Sequence, residues 1–147
     1  MADATGVDPV AFYLAYLHPA WMLTSLAMSV ATLRAGLRLR TARRRGIRKS
    51  AEEYRRHLRL AKPTLAMLLV GFGSGLASVA FLRGWDLFGT AHGVVGSVAL
   101  GLFLATGLLG RRLEHGLTRD PERHGLLALL ALLAAAAAFG TGFVLLP

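Results

Sequence analysis

The sequence predicts an all-α integral membrane protein, a four-helix bundle built from a duplicated helical hairpin. Of its 147 residues, 54% are hydrophobic. Four apolar segments are each long enough to cross a bilayer, which takes about 20 helical residues, and the second half of the chain repeats a pattern of the first. Lipid cannot satisfy open strand edges, so all four segments should be helices. Residues 1–147 are therefore expected to form a single transmembrane domain.

The four helices are expected at about 9–40, 50–83, 89–112 and 121–146. The first and fourth begin at Asp8-Pro9 and Asp120-Pro121, where an N-cap acid precedes a proline in the first helical position. Ser50 and Glu53 form a capping box at the start of the second. The first eight residues contain no basic residue, which is not typical of a cleavable signal peptide, so the first helix is expected to stay in the mature protein.

Basic residues are distributed unevenly along the chain. Twelve of the seventeen Lys and Arg lie between Arg34 and Lys62, around a basic loop at about 36–59, and four more lie between the third and fourth helices. The positive-inside rule places both basic loops in the cytoplasm and both termini outside. We expect a bacterial inner membrane location, contact with membrane lipids and no nucleic-acid binding, because no recognition motif accompanies the net charge of +9.

Each predicted helix carries one histidine near its start: His18, His57, His92 and His124. An ionisable side chain inside a membrane is a functional hypothesis by default. Because the helices alternate in direction, His18 and His92 are expected towards the outer face, and we call them the outer pair. His57 and His124, the inner pair, are expected towards the cytoplasmic face. The fifth histidine, His115, lies in a polar loop and is expected to be solvated.

The histidines follow the duplication of the chain. An offset of 74 residues aligns His18 with His92, and an offset of 67 aligns His57 with His124. Two hairpins of the same orientation imply a pseudo-twofold axis along the membrane normal. The first helix should then stand diagonally opposite the third and the second opposite the fourth, so that the members of each pair face each other.

A glycine follows each histidine at a distance of eighteen residues: Gly36, Gly75, Gly110 and Gly142. Eighteen residues are five helical turns, so each glycine lies on the face of its histidine, about 27 Å further along. Gly75 and Gly142 should therefore flank the outer pair, and Gly36 and Gly110 the inner pair. Small residues also allow close helix packing, but this does not explain the fixed register with histidine.

These layers indicate a flat group held between two imidazoles and flanked by bare backbone. Haem has that form, with two axial ligands and a planar macrocycle. Zinc and copper usually require three or four clustered ligands. The chain has no cysteine, which excludes iron–sulfur clusters and covalently attached c-type haem. We therefore expect two non-covalent b-type haems with bis-histidine ligation.

In these histidines and their order of depth, the chain resembles the four-helix core of the cytochrome b561 superfamily and a group of short bacterial and plastid relatives of that core. The resemblance covers about residues 10–146. It implies that His18 and His92 bind an outer haem, that His57 and His124 bind an inner haem, and that electrons cross the membrane between them. Cytochromes b561 typically have six helices and this chain has four, so their ascorbate-binding residues are not carried over.

Other residues have less specific predicted roles. Six basic residues near the inner layer are candidates for pairing with haem propionates: Arg56, Arg59, Lys62, Arg111, Arg112 and Arg123. Ser25, Ser29 and Thr32 share the face of His18, where they either bond the helix backbone or line the space between the haems. Phe72 and Phe139 pack either beside a macrocycle or in an ordinary core.

The leading functional hypothesis is a dihaem cytochrome that conducts electrons across the bilayer and has no catalytic residues of its own. One alternative is a haem-bearing anchor that passes electrons between quinone and a soluble partner. Another is a haem-free interaction subunit of a larger membrane complex. The electron donor and acceptor, with quinone or a small reductant among the candidates, stay open. A homodimer and a subunit of a larger complex are both compatible with the sequence.

Overall fold

The computed structural model describes residues 9–47, 51–83, 86 and 88–145. Its α-helices are α1 Pro9–Arg44, α2 Ala51–Ala77, α3 Ala91–Glu114 and α4 Pro121–Phe143, and a π-helical segment, Ser78–Arg83, continues α2. All four helices are long and apolar enough to cross a membrane. The predicted all-α transmembrane four-helix bundle is confirmed.

Side-chain caps define two helix starts. The Asp120 carboxylate accepts a hydrogen bond from the Arg123 amide, and Pro121 is the first residue of α4, as the sequence predicts. At α3 the Thr90 hydroxyl accepts from the Gly93 amide at 3.1 Å, a cap that was not predicted. The predicted caps at Asp8 and Ser50 lie outside the described residues.

α1 and α3 end in the same way, at a glycine with a left-handed backbone. Gly46 has φ 66° and Gly116 has φ 69°, and in each case the following amide bonds the carbonyl five residues earlier. This is the Schellman termination, which suits glycine because it has no Cβ. The predicted basic loop at about 36–59 overlaps the predicted helix ends near 40 and 50, and it is mostly helical: α1 continues about four residues past its predicted end, to Arg44, and α2 begins at Ala51, close to its predicted start. The reason is that arginine and lysine are good helix formers.

The helices form a closed four-membered bundle. α1 packs along α2, α3 along α4, and the hairpins meet through α1 with α4 and α2 with α3. Within the described residues, the backbone of α1 does not approach that of α3, and the backbone of α2 does not approach that of α4. These are the diagonal positions that the duplication predicts, so residues of α1 and α3 face each other across the bundle axis.

The interior is more polar in the first hairpin than in the second. Ser25 and Ser29 are buried in α1, whereas the matching positions of α3 are Ala99 and Phe103. The hydroxyls of Ser25, Ser29 and Thr32 each donate to the backbone carbonyl four residues earlier. Backbone bonding, the first of the two roles predicted for them, is therefore confirmed.

Candidate functional site

The structure brings the histidines together in the two predicted pairs. In the outer pair, the ring centres of His18 and His92 are 6.2 Å apart and the ring planes cross at 84°. In the inner pair, the ring centres of His57 and His124 are also 6.2 Å apart, with planes at 87°. His115 is the C-cap residue of α3 and is exposed, and it belongs to neither pair.

Three of these imidazoles place Nδ1 against a carbonyl of the neighbouring helix in their own hairpin. The Nδ1–oxygen distances are 3.3 Å for His57 and Thr32, 2.8 Å for His92 and Ala138, and 3.1 Å for His124 and Thr106. A carbonyl can only accept, so Nδ1 carries the proton and donates it, which leaves the Nε2 lone pair as the metal-binding one. Metal-bound histidines are usually oriented by this kind of hydrogen bond.

His18 reaches its carbonyl through a serine. Its Nδ1 lies 3.2 Å from the Ser74 Oγ, and the Ser74 hydroxyl donates to the Gly71 carbonyl at 2.8 Å. Thr141 occupies the matching position of α4, but its hydroxyl donates to the helix backbone, and His92 bonds the Ala138 carbonyl directly. The serine bridge therefore breaks the symmetry of the outer layer.

Each of the four glycines lies against an imidazole of the neighbouring helix. A Cβ added to the glycine would lie 3.3 Å from His57 at Gly36, 2.9 Å from His18 at Gly75, 3.0 Å from His124 at Gly110 and 2.7 Å from His92 at Gly142. Side-chain carbons rarely approach so closely, so a methyl group would push the ring away. Glycine at these positions is thus explained by a contact with the imidazole.

The contact also explains the register. Thr32, Thr106 and Ala138 each lie four residues before one of these glycines. In an α-helix the amide of the glycine bonds that same carbonyl. A bare backbone at the glycine therefore lets the imidazole reach the carbonyl one turn earlier. This contact was not predicted from the sequence. The sequence did contain a signal for it, because it places a histidine and a glycine at the same depth on neighbouring helices. The predicted role of the glycines beside a macrocycle stays a prediction.

A cavity adjoins each histidine pair. The inner cavity measures about 690 Å³ and is lined by the inner pair with Gly36 and Gly110. The outer cavity measures about 420 Å³ and is lined by the outer pair with Gly75 and Gly142. Both volumes fall within the roughly 300–1,000 Å³ that is usual for cofactor sites.

Phenylalanines line the outer cavity and the space between the two layers. Phe72 and Phe139 line the outer cavity, where they were predicted to pack either beside a macrocycle or in a core. Phe103 of α3 lines both cavities, so it lies at the point where the two approach each other. Its place in the middle of the bundle was not predicted.

Charge distinguishes the two cavities. Four basic residues line the inner one, namely Arg40, Arg43, Lys62 and Arg111, together with the carboxylate of Glu114. The charged residue that the structure describes in the lining of the outer cavity is Asp86. Judged by the lining residues that the structure describes, the inner cavity is therefore cationic and the outer one is not.

Two of the six predicted propionate partners, Lys62 and Arg111, line the inner cavity. The other four are not in its lining: Arg56, Arg59, Arg112 and Arg123. Arg59 instead pairs with Glu52 at 2.5 Å, and Arg123 pairs with Asp120 at 2.8 Å. Lys62 bonds Glu114 at 2.8 Å.

The donor set of each layer fits a metal macrocycle. Across the described residues, no group of three or more His, Cys, Asp or Glu is placed to hold a metal ion, so each layer offers two imidazoles. A metal bound linearly between two imidazole nitrogens at about 2 Å each sets the ring centres roughly 6 Å apart, close to the observed 6.2 Å. With two protein ligands in each layer, the other four positions of an octahedral metal would have to come from a cofactor.

Comparison of the chain with models of protein families, with curated proteins and with solved structures finds no match to any of them. The functional assignment therefore depends on the geometry of the two layers.

Proposed function

We propose that this protein is a dihaem b-type cytochrome, related to the cytochrome b561 core, that carries electrons across a membrane. One haem would lie in each layer, where His18 and His92 would hold the outer haem and His57 and His124 the inner. The observation that carries the proposal is the equal 6.2 Å separation of the ring centres in both pairs.

Haem iron supplies reversible one-electron chemistry when bound, and the protein holds it in place. The backbone carbonyls and Ser74 orient the imidazoles through Nδ1, so Nε2 is available for the metal in a fixed direction. The glycines admit the rings without displacing them. Such a site needs no general acid or base.

The separation of the layers supports transfer between them. The inner layer lies at the level of Thr32 to Gly36 on α1. These residues are 14 and 18 positions beyond His18, a rise of about 21 to 27 Å. Macrocycles are wide, so the gap between their edges would be shorter, and Phe103 lies between the two cavities.

We also propose that the basic end of the bundle faces the cytoplasm of a bacterium, because arginine and lysine concentrate there. The native chain has no cysteine, so single cysteines report topology without background. In intact cells, a membrane-impermeant maleimide should label Phe88→Cys, between α2 and α3, and should not label Thr118→Cys, between α3 and α4. The reverse labelling would contradict this orientation.

The absorption spectrum of the purified protein tests the haem assignment. Dithionite should produce the sharp bands of a reduced b-type cytochrome, and pyridine haemochrome should give about two haems per chain, one for each histidine pair. A colourless protein after expression with ample haem would overturn the proposal and favour the haem-free interaction subunit. A stable value of one haem per chain would restrict the proposal to a single layer.

A further inference from the structure

Arg40, near the end of α1, contains a buried polar atom without a partner. One of its terminal guanidinium nitrogens donates to the Glu122 carboxylate on α4. Its Nε is buried and has no hydrogen-bond partner, and no other buried side-chain nitrogen or oxygen in the described part of the chain is in that state. Arg40 also lines the inner cavity.

A buried guanidinium N–H without an acceptor is unfavourable, and a charged acceptor forms the stronger bond with it. The positive charge of the surrounding cavity wall also favours an anionic group. Arg43 and Arg111 line the cavity, and neither has an ion pair among the described residues. Lys62 pairs with Glu114 and Arg40 pairs with Glu122, so Arg43 and Arg111 leave this wall with an excess of two positive charges. An anionic group on the bound cofactor would satisfy both the Nε and the excess charge.

Geometry points to Arg40 rather than to another cation as the anchoring donor. Glu122 holds one arm of its guanidinium and lies two residues before the inner ligand His124 on the same helix. Arginine presents its donors in a rigid fork, so fixing one arm fixes the direction of Nε. Lys62 lacks this arrangement, because its ammonium bonds Glu114 at 2.8 Å.

We propose that Arg40 is the carboxylate anchor of the inner site: its Nε donates to a carboxylate of the cofactor that the inner pair binds, with Arg43 and Arg111 supplying further positive charge. Among the residues that the structure describes, the outer site has no such anchor, because the charged residue in its lining is Asp86. This inference rests on the proposed haem function. It predicts that the inner site distinguishes a free carboxylate from an esterified one and that the outer site does not.

The test uses full-length protein prepared without haem in two single-layer backgrounds. His18→Ala retains only the inner site and His57→Ala only the outer. Each is titrated with haemin and with haemin dimethyl ester, which has the same ring without free carboxylates. The inner site should bind the ester about tenfold or more weakly than haemin, as expected for loss of a charge-assisted hydrogen bond. The outer site should bind the two within about threefold of each other.

Arg40→Gln in the His18→Ala background should weaken haemin binding about tenfold and leave binding of the ester unchanged. Arg44→Gln is the matched control, because Arg44 pairs with the same Glu122 carboxylate at 3.6 Å and lies outside the cavity lining. It should leave haemin affinity within about threefold, as expected for an exposed pair. Arg38→Gln, an exposed neighbour outside the cavity lining, should change neither titration.

Equal affinity of the inner site for haemin and its ester would overturn the role of Arg40 and leave the proposed function standing. An equal loss of both ligands in Arg40→Gln, or the same loss in Arg44→Gln, would overturn it as well, because the effect would then come from bundle packing. Absence of haemin binding in both single-layer backgrounds would overturn the proposed function and this inference with it.

Discussion

The outer and inner layers share their histidine geometry and differ in nearly everything around it. Both pairs have ring centres 6.2 Å apart and a glycine against every imidazole. The inner cavity is larger and cationic, and both of its imidazoles bond threonine carbonyls directly. The outer cavity is smaller and more apolar, and one of its imidazoles depends on a serine.

The difference shows which features the duplication preserves. Ligand, glycine and acceptor carbonyl recur at fixed offsets because each depends on the others through direct contact, so losing one disrupts the layer. Charge on the cavity wall and the serine bridge are not tied to that contact. The two layers are thus equivalent in the geometry of their histidine pairs and distinct in environment, which gives each layer its own set of sensitive residues.

The largest effect should come from removing a ligand. His57→Ala and His124→Ala should each abolish the inner haem and leave the outer one, and His18→Ala and His92→Ala should do the converse. The measurement is haem content per chain with the spectrum of the haem that remains. His115→Ala is the control and should keep both haems, since the ring of His124 already faces His57. Loss of the inner signal in His115→Ala with retention in His124→Ala would show that the inner ligand has been misassigned.

Filling the space beside an imidazole should have the next largest effect. Gly75→Leu and Gly142→Leu should damage the outer haem, and Gly36→Leu and Gly110→Leu the inner one. Overpacking against a ring costs about 1 to 3 kcal/mol, enough for partial or complete loss of that haem.

Alanine at the same positions should give a graded series. Gly142→Ala, where the added carbon would lie 2.7 Å from His92, should be worse than Gly36→Ala, where it would lie 3.3 Å from His57. Gly140→Ala is the matched control, because a Cβ there meets nothing within 4 Å. Equal haem content in all the glycine variants would show that these glycines are ordinary helix-packing residues.

A smaller effect on haem binding should differ between the two hairpins. Ser74→Ala removes the link between His18 and the Gly71 carbonyl, and loss of such an orienting group typically weakens metal binding about 10- to 100-fold. Thr141→Ala removes the matching hydroxyl, but His92 bonds its carbonyl without it, so haem binding should be nearly unchanged. Haemin titration of the His57→Ala background carrying each change measures both. Equal losses would mean that the serine bridge has no specific role.

The smallest expected effect is a difference in reduction potential. A cationic wall disfavours the additional positive charge of oxidised iron, so the inner haem should have the higher potential. The expected difference is tens of millivolts, where about 59 mV is a tenfold change for one electron. Potentiometric titration of the two single-layer variants assigns each value to its layer. A higher potential in the outer layer would show that the wall charge does not control the inner haem.

The sequence predicted the bundle, the diagonal pairs and the glycine positions, because a duplication is visible as aligned residues and helical periodicity sets their depth. The glycine–imidazole contact was not predicted, since it depends on which helix faces which at a given level. Arg40 was not predicted to act at the inner site because membrane topology already accounted for its charge and it lies at the predicted end of the first helix, near 40. Once α1 continues to Arg44, Arg40 lies on a helix beside the inner pair. The Ser74 bridge depends on a side-chain rotamer, which no residue spacing encodes.

Electron transfer through sealed vesicles tests the central claim most directly. Protein loaded with both haems is inserted into liposomes that contain ferricyanide, and a membrane-impermeant reductant is added outside. The trapped ferricyanide should be reduced well above the rate in protein-free vesicles, and that excess should vanish in both His18→Ala and His57→Ala. If the protein carries both haems and the trapped ferricyanide is reduced no faster than in protein-free vesicles, the result would contradict transmembrane electron transfer and favour a haem-bearing anchor. An unchanged rate in either single-layer variant would contradict a path through both layers.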